Sequence, residues 1–281
     1  MTADRDHLKT TFESKADLYH RARPDYPPAL FDAIVELAGL RPGAHLLEVG
    51  CATGKATLPL ARRGYRITCV ELGRDLAAHA RTNLAGYPHV EIAEHEFETW
   101  EPREPGGFDL VFAATAWHWI DPSRGFRHAW ELLKPGGHLA LWNSMHIFPA
   151  DADPVFTELQ TVYNEIDERL PPDYVQPTPE TMLGHQAEIE ASGLFTDVVA
   201  RSFDWEVKYT AQAYIDLLDT FSGHIAMPQA SRDKLYSAIR QLLAGRPDGQ
   251  LRRHWGTVLS IARRRDIARR RDVAGRRDVA G

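Results

Sequence analysis

The sequence predicts an α/β protein built on a largely parallel sheet, and three observations carry that expectation. A β-prone run, His45-Leu46-Leu47-Glu48-Val49, enters a small-residue loop and is followed by a short helix and a second strand that ends at Glu71. Strand and helix patterns then alternate as far as Asn143. The run Phe108–Ala116 is almost wholly apolar, as a central parallel strand covered on both faces should be.

Each element follows from its local pattern. Residues 28–40 place Leu30, Ile34, Leu37 and Ala38 on one helical face, and Gly39 with Pro42-Gly43 ends it. His45–Val49 is the first strand, and residues 55–64 form a helix closed by Gly64. Residues 65–71 are the second strand, 75–84 a helix and 90–94 the third strand. The fourth strand, 108–116, leads to a helix over 122–133, with Asp121 as its N-cap and Pro122 at its first position. The fifth strand covers 138–143. Residues 150–193 are expected to be helical with breaks at Pro154, Pro171-Pro172, Pro177 and Pro179. Residues 195–207 alternate as a strand, 210–221 and 229–244 read as helices, and 255–262 is the last strand.

The first strand–loop–helix–strand unit has the form of a nucleotide-binding βαβ unit. Glycines let backbone approach a ligand, a helix start offers free N–H groups, and Glu71 at a strand tip suits a ribose diol. A dinucleotide fingerprint would place glycines where Ala52 and Lys55 stand, and a phosphate-binding loop fails at Val49 and Ala56. What remains is Glu-x-Gly-x-x-x-Gly from Glu48 to Gly54. This resembles motif I of the class I S-adenosylmethionine (SAM) methyltransferases, with Ala52 at the usual middle glycine. Phe108-Asp109-Leu110-Val111 and Leu133-Lys134-Pro135-Gly136-Gly137 resemble the same family's later pattern, and Tyr19-x-x-x-Arg23-Pro24-x-Tyr26-Pro27 resembles the N-terminal segment of its trans-aconitate-methyltransferase-like subgroup. The resemblance covers about residues 10–145.

The resemblance implies a Rossmann-like seven-stranded sheet with its last strand antiparallel, a helical substrate cap, and SAM as cofactor. The implied organisation is an N-terminal lid (1–28), a SAM-binding core (29–149), a helical cap (150–194), the remaining core strands (195–262) with a helical insertion (209–245), and an Arg/Asp repeat tail (263–281). Cofactor contacts are expected from Tyr19, Arg23, Glu48, Gly50, Cys51, Ala52, Thr53, Gly54, Glu71, Leu72 and Thr115, with Glu96 and Phe97 on the adenine side. Tyr19 and Arg23 would approach the methionine end. A packing strap anchored by Tyr19 and Tyr26 is the plainer reading of that segment. Chemistry is expected past the fourth strand, where open α/β sheets bind ligands. There His118 is the one titratable group of suitable pKa, a base for a hydroxyl nucleophile or a wall of the pocket. Trp117 and Trp119 could line the substrate side, with Phe221 and His224 from the second half.

Composition sets the outer limits. The 281 residues carry a formal charge of −6, and the tail from Arg263 holds eight arginines and three aspartates, leaving −11 on the rest. An acidic body disfavours nucleic acid as substrate. The strand-end strings of base-acting amino-methyltransferases and the acidic ligands of metal-dependent O-methyltransferases are both missing, so no metal is expected. Two cysteines, Cys51 and Cys69, suggest no disulfide framework and a reducing cytoplasm, and no apolar run is long enough for a membrane span. The expected reaction is methyl transfer to a hydroxyl or carboxylate oxygen of a small molecule by a monomer or homodimer. A SAM-binding protein without turnover and an NAD-dependent oxidoreductase are the alternatives. The tail repeat reads as a solvated extension before a basic arm.

Overall fold

The computed structural model describes residues 16–102, 107–168, 171 and 174–266. The repeat tail beyond Asp266 and the lid residues before Ala16 lie outside them, so the expectations placed there have no structural counterpart. The chain enters through α1 (Ala16–Ala22), an extended strap, and α2 (Pro28–Leu37). The core follows as β1 (His45–Val49), α3 (Thr57–Ala61), β2 (Arg66–Glu71), α4 (Arg74–Asn83), β3 (Val90–Glu94), β4 (Phe108–Ala114), α5 (Pro122–Leu132) and β5 (Leu133–Trp142). After it come β6 (Ser144–Ile147), α6 (Val155–Glu165), α7 (Gln186–Ala191), β7 (Phe195–Thr210), α8 (Ala211–Leu218), α9 (Ser222–Ala226), α10 (Gln229–Ala244) and β8 (Gln250–Arg264).

The strands form one sheet. β3, β2, β1, β4 and β5 are parallel in that spatial order, and β8 runs antiparallel to β5 and to β7 beyond it. The expected seven-stranded sheet with an antiparallel final strand is therefore present. The eighth strand is β6, which pairs with the same edge of β8 as β5 does, past a break at Asn143. Chain order reverses between β1 and β4, the switch point at which such sheets open a crevice.

Both faces of the sheet are covered. Leu46, Ile67, Leu110, Phe112 and Trp142 pack against α2 and α3 on one side, while Leu47, Val49, Val111, Leu139 and Leu141 pack against α5 and α7 on the other. Alternate residues of each strand thus enter opposite cores, which is why these strands read as continuous apolar runs. A third cluster joins α6, α8 and α10 to Leu251 and Trp255 of β8 and stands beyond the strand ends, over the crevice.

Several boundaries depart from expectation for local reasons. Among the described residues the region 150–193 holds α6 and α7 alone, and Pro171, Pro177 and Pro179 fall in irregular backbone between them. β8 begins five residues before the expected start. Its polar opening is satisfied sideways: Arg252 pairs with Glu206 at 3.0 Å, and Arg253 is buried. Asp121 caps α5 as expected, accepting from the Ser123 amide at 2.9 Å.

Candidate active site

A cavity of about 380 Å³ lies at the carboxyl ends of β1, β2 and β4, beneath the strap and the cap. That volume is within the ~300–1,000 Å³ typical of small-ligand sites. The β1–α3 loop forms its floor. Gly50 takes φ +69°, and a Cβ there would stand 2.7 Å from the Ala116 Cβ, so only glycine lets the loop lie on the β4 end. Ala52 holds the left-handed region at φ 47° despite its side chain.

Two carboxylates organise the floor. Glu71 is 6 % exposed and accepts from the Ala52 amide and the Gly73 amide, both at 2.8 Å. These bonds aim the carboxylate across the loop and lock the loop's left-handed turn. Glu48 is 1 % exposed and accepts from Thr57 Oγ1 at 2.5 Å. Burial pushes its carboxyl up to about 8, against the Thr57 and Cys69 hydrogen bonds that lower it, with the Glu71 charge adding to the rise.

The roof is the strap. Tyr26 packs edge-on against Phe31 and Trp142, and its hydroxyl meets Thr115 Oγ1 at 3.0 Å. Thr115 itself has φ 56° and also accepts from the Ser144 amide. Arg23 donates from Nε to Thr220 Oγ1 at 2.8 Å and from Nη2 to the Thr220 carbonyl at 3.0 Å, with its guanidinium 4.0 Å over the Phe221 ring. Burial lowers its pKa. Among the described residues no carboxylate pairs with it, so a cation of the cavity wall keeps donors to spare. α1 is tied to the loop by His20 on Thr53 Oγ1 at 3.1 Å, and the strap by Lys55 on Asp25 at 2.8 Å.

Of the expected cofactor residues, the cavity brings together Tyr19, Arg23, Glu48, Gly50, Cys51, Ala52, Thr53, Glu71, Leu72, Glu96, Phe97 and Thr115. Leu72 is half exposed and Phe97 buried, both on the side reached from β2 and β3. Gly54 does not line it. Its φ of +86° and the Leu84 methyl 2.8 Å from a Cβ built there show a glycine kept for packing of the loop on α4. His118 and Trp119 line the cavity past β4, with His118 exposed at its rim. Trp117 does not: residues 117–119 form a 3₁₀ turn, which sends Trp117 into the core against Phe97 and Phe126. Phe221 lines the cavity, whereas His224 faces a second one. The sequence reading missed Ser144 and Trp255 as wall residues. Both belong to strands whose pairing, not their local pattern, brings them here.

These features test the fit of an adenosyl cofactor on the chain's own terms. A strand-tip carboxylate fixed by two amides, a floor closed to any Cβ, a second buried carboxyl and an arginine without an acidic partner among the described residues match a ribose, a close backbone approach, an ammonium and a carboxylate. They define an α/β nucleoside-cofactor enzyme of the SAM type.

Residues 47–141 match the model of the methyltransferase domain family. An uncharacterized methyltransferase of Mycobacterium tuberculosis is 30% identical over 252 residues, spanning 88% of this chain and 91% of that protein. A trans-aconitate 2-methyltransferase of Deinococcus radiodurans is 30% identical over 126 residues, 44% of this chain and 47% of that one. A solved structure from Anaeromyxobacter dehalogenans, a candidate type II methyltransferase, superposes with a TM-score of 0.62 at 24% identity, covering 86% of this chain and 97% of that one. The chain belongs to the SAM-dependent methyltransferases, and its cofactor is SAM. The oxidoreductase alternative falls with that membership. Among the described residues no helix is long and apolar enough to cross a membrane.

Proposed function

We propose that the chain methylates a hydroxyl or carboxylate oxygen of a small organic molecule. The observation that carries the reading is the acceptor side of the cavity, where Trp119, Phe221 and Trp255 make an aromatic wall beside His118 in a space sized for a small ligand. The local similarity to a trans-aconitate 2-methyltransferase supports a carboxylate acceptor. A histidine at the strand end supports a hydroxyl.

The geometry supports the following roles. Glu71 takes the ribose diol while its backbone bonds hold it still. Glu48 takes the ammonium of the methionine end, and Arg23 its carboxylate. Phe97 and Leu72 flank the adenine, with Glu96 for its exocyclic amine. The sulfonium, when bound, supplies an already activated methyl group. The protein therefore has to align an acceptor, exclude water and, for a hydroxyl, remove a proton at His118. A carboxylate acceptor needs no base.

The test is S-adenosylhomocysteine release from SAM over a panel of small hydroxylated and carboxylic compounds. Products bearing a new O-methyl group are expected. Methylation confined to nitrogen or carbon would overturn the reading. With a hydroxyl acceptor, His118→Ala should lower kcat by roughly 10²–10⁴ and leave S-adenosylhomocysteine affinity unchanged. Unaltered kcat would remove the base role.

A further inference from the structure

A second cavity, of about 330 Å³, adjoins the first, and Phe221 lines both. His146, Phe148, Phe156, Tyr163, His224 and Arg253 are among its walls. Arg253 comes from β8 and is 7 % exposed. Its Nη1 donates to the Tyr214 hydroxyl at 3.2 Å, its guanidinium lies 4.5 Å over the Trp255 ring, and its Nε has no acceptor. Three neighbouring arginines are paired with carboxylates, whereas Arg23, stacked on the same Phe221 ring, has no carboxylate partner among the described residues. Arg252 holds Glu206, Arg263 holds Asp197 and Arg246 holds Asp153. Arg253 has no carboxylate within 4 Å among the described residues. A buried cation without a counter-charge is costly, and one in a cavity wall points to a ligand that supplies the charge.

The remaining polar walls are neutral. Burial, followed by the Arg253 charge, lowers His224 to about 4 and holds His146 far below the usual histidine range. Tyr163 Oη and His224 Nε2 are 2.8 Å apart. The cavity thus presents one fixed positive charge, neutral hydrogen-bonding groups and aromatic walls. A single guanidinium matches a single planar anion better than a phosphate monoester, which carries close to two charges.

We propose that this second cavity receives a carboxylate of the methyl acceptor, with Arg253 as its receptor, while the acceptor's reactive group extends past Phe221 toward the cofactor. The proposal rests on the small-molecule reading above and adds the class: organic acids that carry an anchoring carboxylate besides the atom methylated.

The test is calorimetric titration of benzoate and of benzamide into the chain saturated with S-adenosylhomocysteine. Benzoate should bind at least tenfold more tightly. Arg253→Gln should abolish that preference, Arg253→Lys should retain part of it, and S-adenosylhomocysteine affinity should stay within about threefold in both. Equal affinity for benzoate and benzamide, undiminished benzoate binding by Arg253→Gln, or tighter binding of phenyl phosphate than of benzoate would each overturn the proposal. If Arg253→Gln does not fold, Phe156→Trp, which fills the cavity, serves instead. Lost benzoate binding then supports the proposal, and unchanged binding rejects it. Because the readout is binding, a chain that holds benzoate through Arg253 but methylates no oxygen would sustain this anchor and fail the oxygen-acceptor reading.

Discussion

Glu48 and Gly50 sit two residues apart and set opposite demands on the same loop. The Glu48 carboxyl, raised to about 8 by burial, is largely protonated at neutral pH when folded and ionised when unfolded. The unfolded chain gives up this proton near the ordinary value of about 4.3. Between that value and about 8 the folded state holds the extra proton, so this group lowers stability as pH rises through the window. Glu48→Gln keeps the shape and removes the titration. In urea denaturation it should gain on wild type by ~1 kcal/mol or more between pH 5 and pH 8, whereas parallel pH profiles would sink the assignment. Gly50→Ala adds a Cβ at a left-handed φ, 2.7 Å from Ala116. The backbone cost of ~1–2 kcal/mol and overpacking of ~1–3 kcal/mol act together, so a loss of about 2–5 kcal/mol is expected. Ala52→Gly, relieving a φ of 47°, should cost nothing; a loss in its denaturation midpoint would contradict the strain argument. This much of the site was legible in the sequence, because carboxylates and glycines at fixed spacing in a βαβ turn have few other uses. Trp117 was not legible. Residues two apart share a face on extended chain, but a 3₁₀ turn separates Trp117 from Trp119.

At the level of elements, the strands of the parallel sheet could be read because burial on both faces writes itself as an apolar run. In the cap the helices expected over 210–221 and 229–244 are present as α8 and α10, but the stretch 150–193 read poorly, since its elements are held by partners distant in sequence. Asp153 is the clearest case. Its side chain is fully buried, accepts both Arg246 Nη1 and Nη2 at 2.8 and 2.9 Å, and also accepts the Arg252 and Val155 amides at 2.9 and 3.1 Å. It therefore starts α6 and fastens that helix to β8 and to the end of α10. Burial alone would raise its pKa, but these hydrogen bonds outweigh it and the net shift is downward. A depressed carboxylate contributes stability above its unfolded pKa and loses it as pH falls through the folded value. Asp153→Ala should cost about 2–4 kcal/mol at pH 7, since it leaves two amides and a guanidinium unanswered. The deficit should narrow in acid, where the wild-type carboxyl is protonated too. A constant deficit down to pH 3 in denaturation curves would show that lost packing, not the ion pair, is responsible. β6 escaped sequence reading for a related reason. Four residues after a break carry little pattern, and only the register on β8 makes them a strand.

Across the whole molecule, Arg23 ties the N-terminal strap to the cap over the cavity. Arg23 belongs to the N-terminal segment, its acceptors on Thr220 belong to the cap, and Glu71 on the cavity floor belongs to the sheet. A ligand that reaches Glu71 and Arg23 together links these parts, and because it binds only the folded chain it raises overall stability. S-adenosylhomocysteine at one hundred times its Kd should add about 2.7 kcal/mol. At roughly 2–4 °C per kcal/mol for a chain near this size, that corresponds to a Tm rise of about 5–10 °C. NAD, which the loop does not fit, should give none. Glu71→Ala removes a charged hydrogen-bond acceptor worth about 1.5–3 kcal/mol, so affinity should fall tenfold or more. It also frees the Ala52 and Gly73 amides, so the apo protein should melt earlier. Arg23→Gln separates the two effects: the strap keeps an amide donor for Thr220, while the charge opposite a methionine carboxylate is gone. Its apo Tm should stay near wild type and its S-adenosylhomocysteine shift should shrink by several degrees at fixed ligand concentration. An undiminished shift would place the methionine carboxylate elsewhere and reduce Arg23 to a tie between strap and cap.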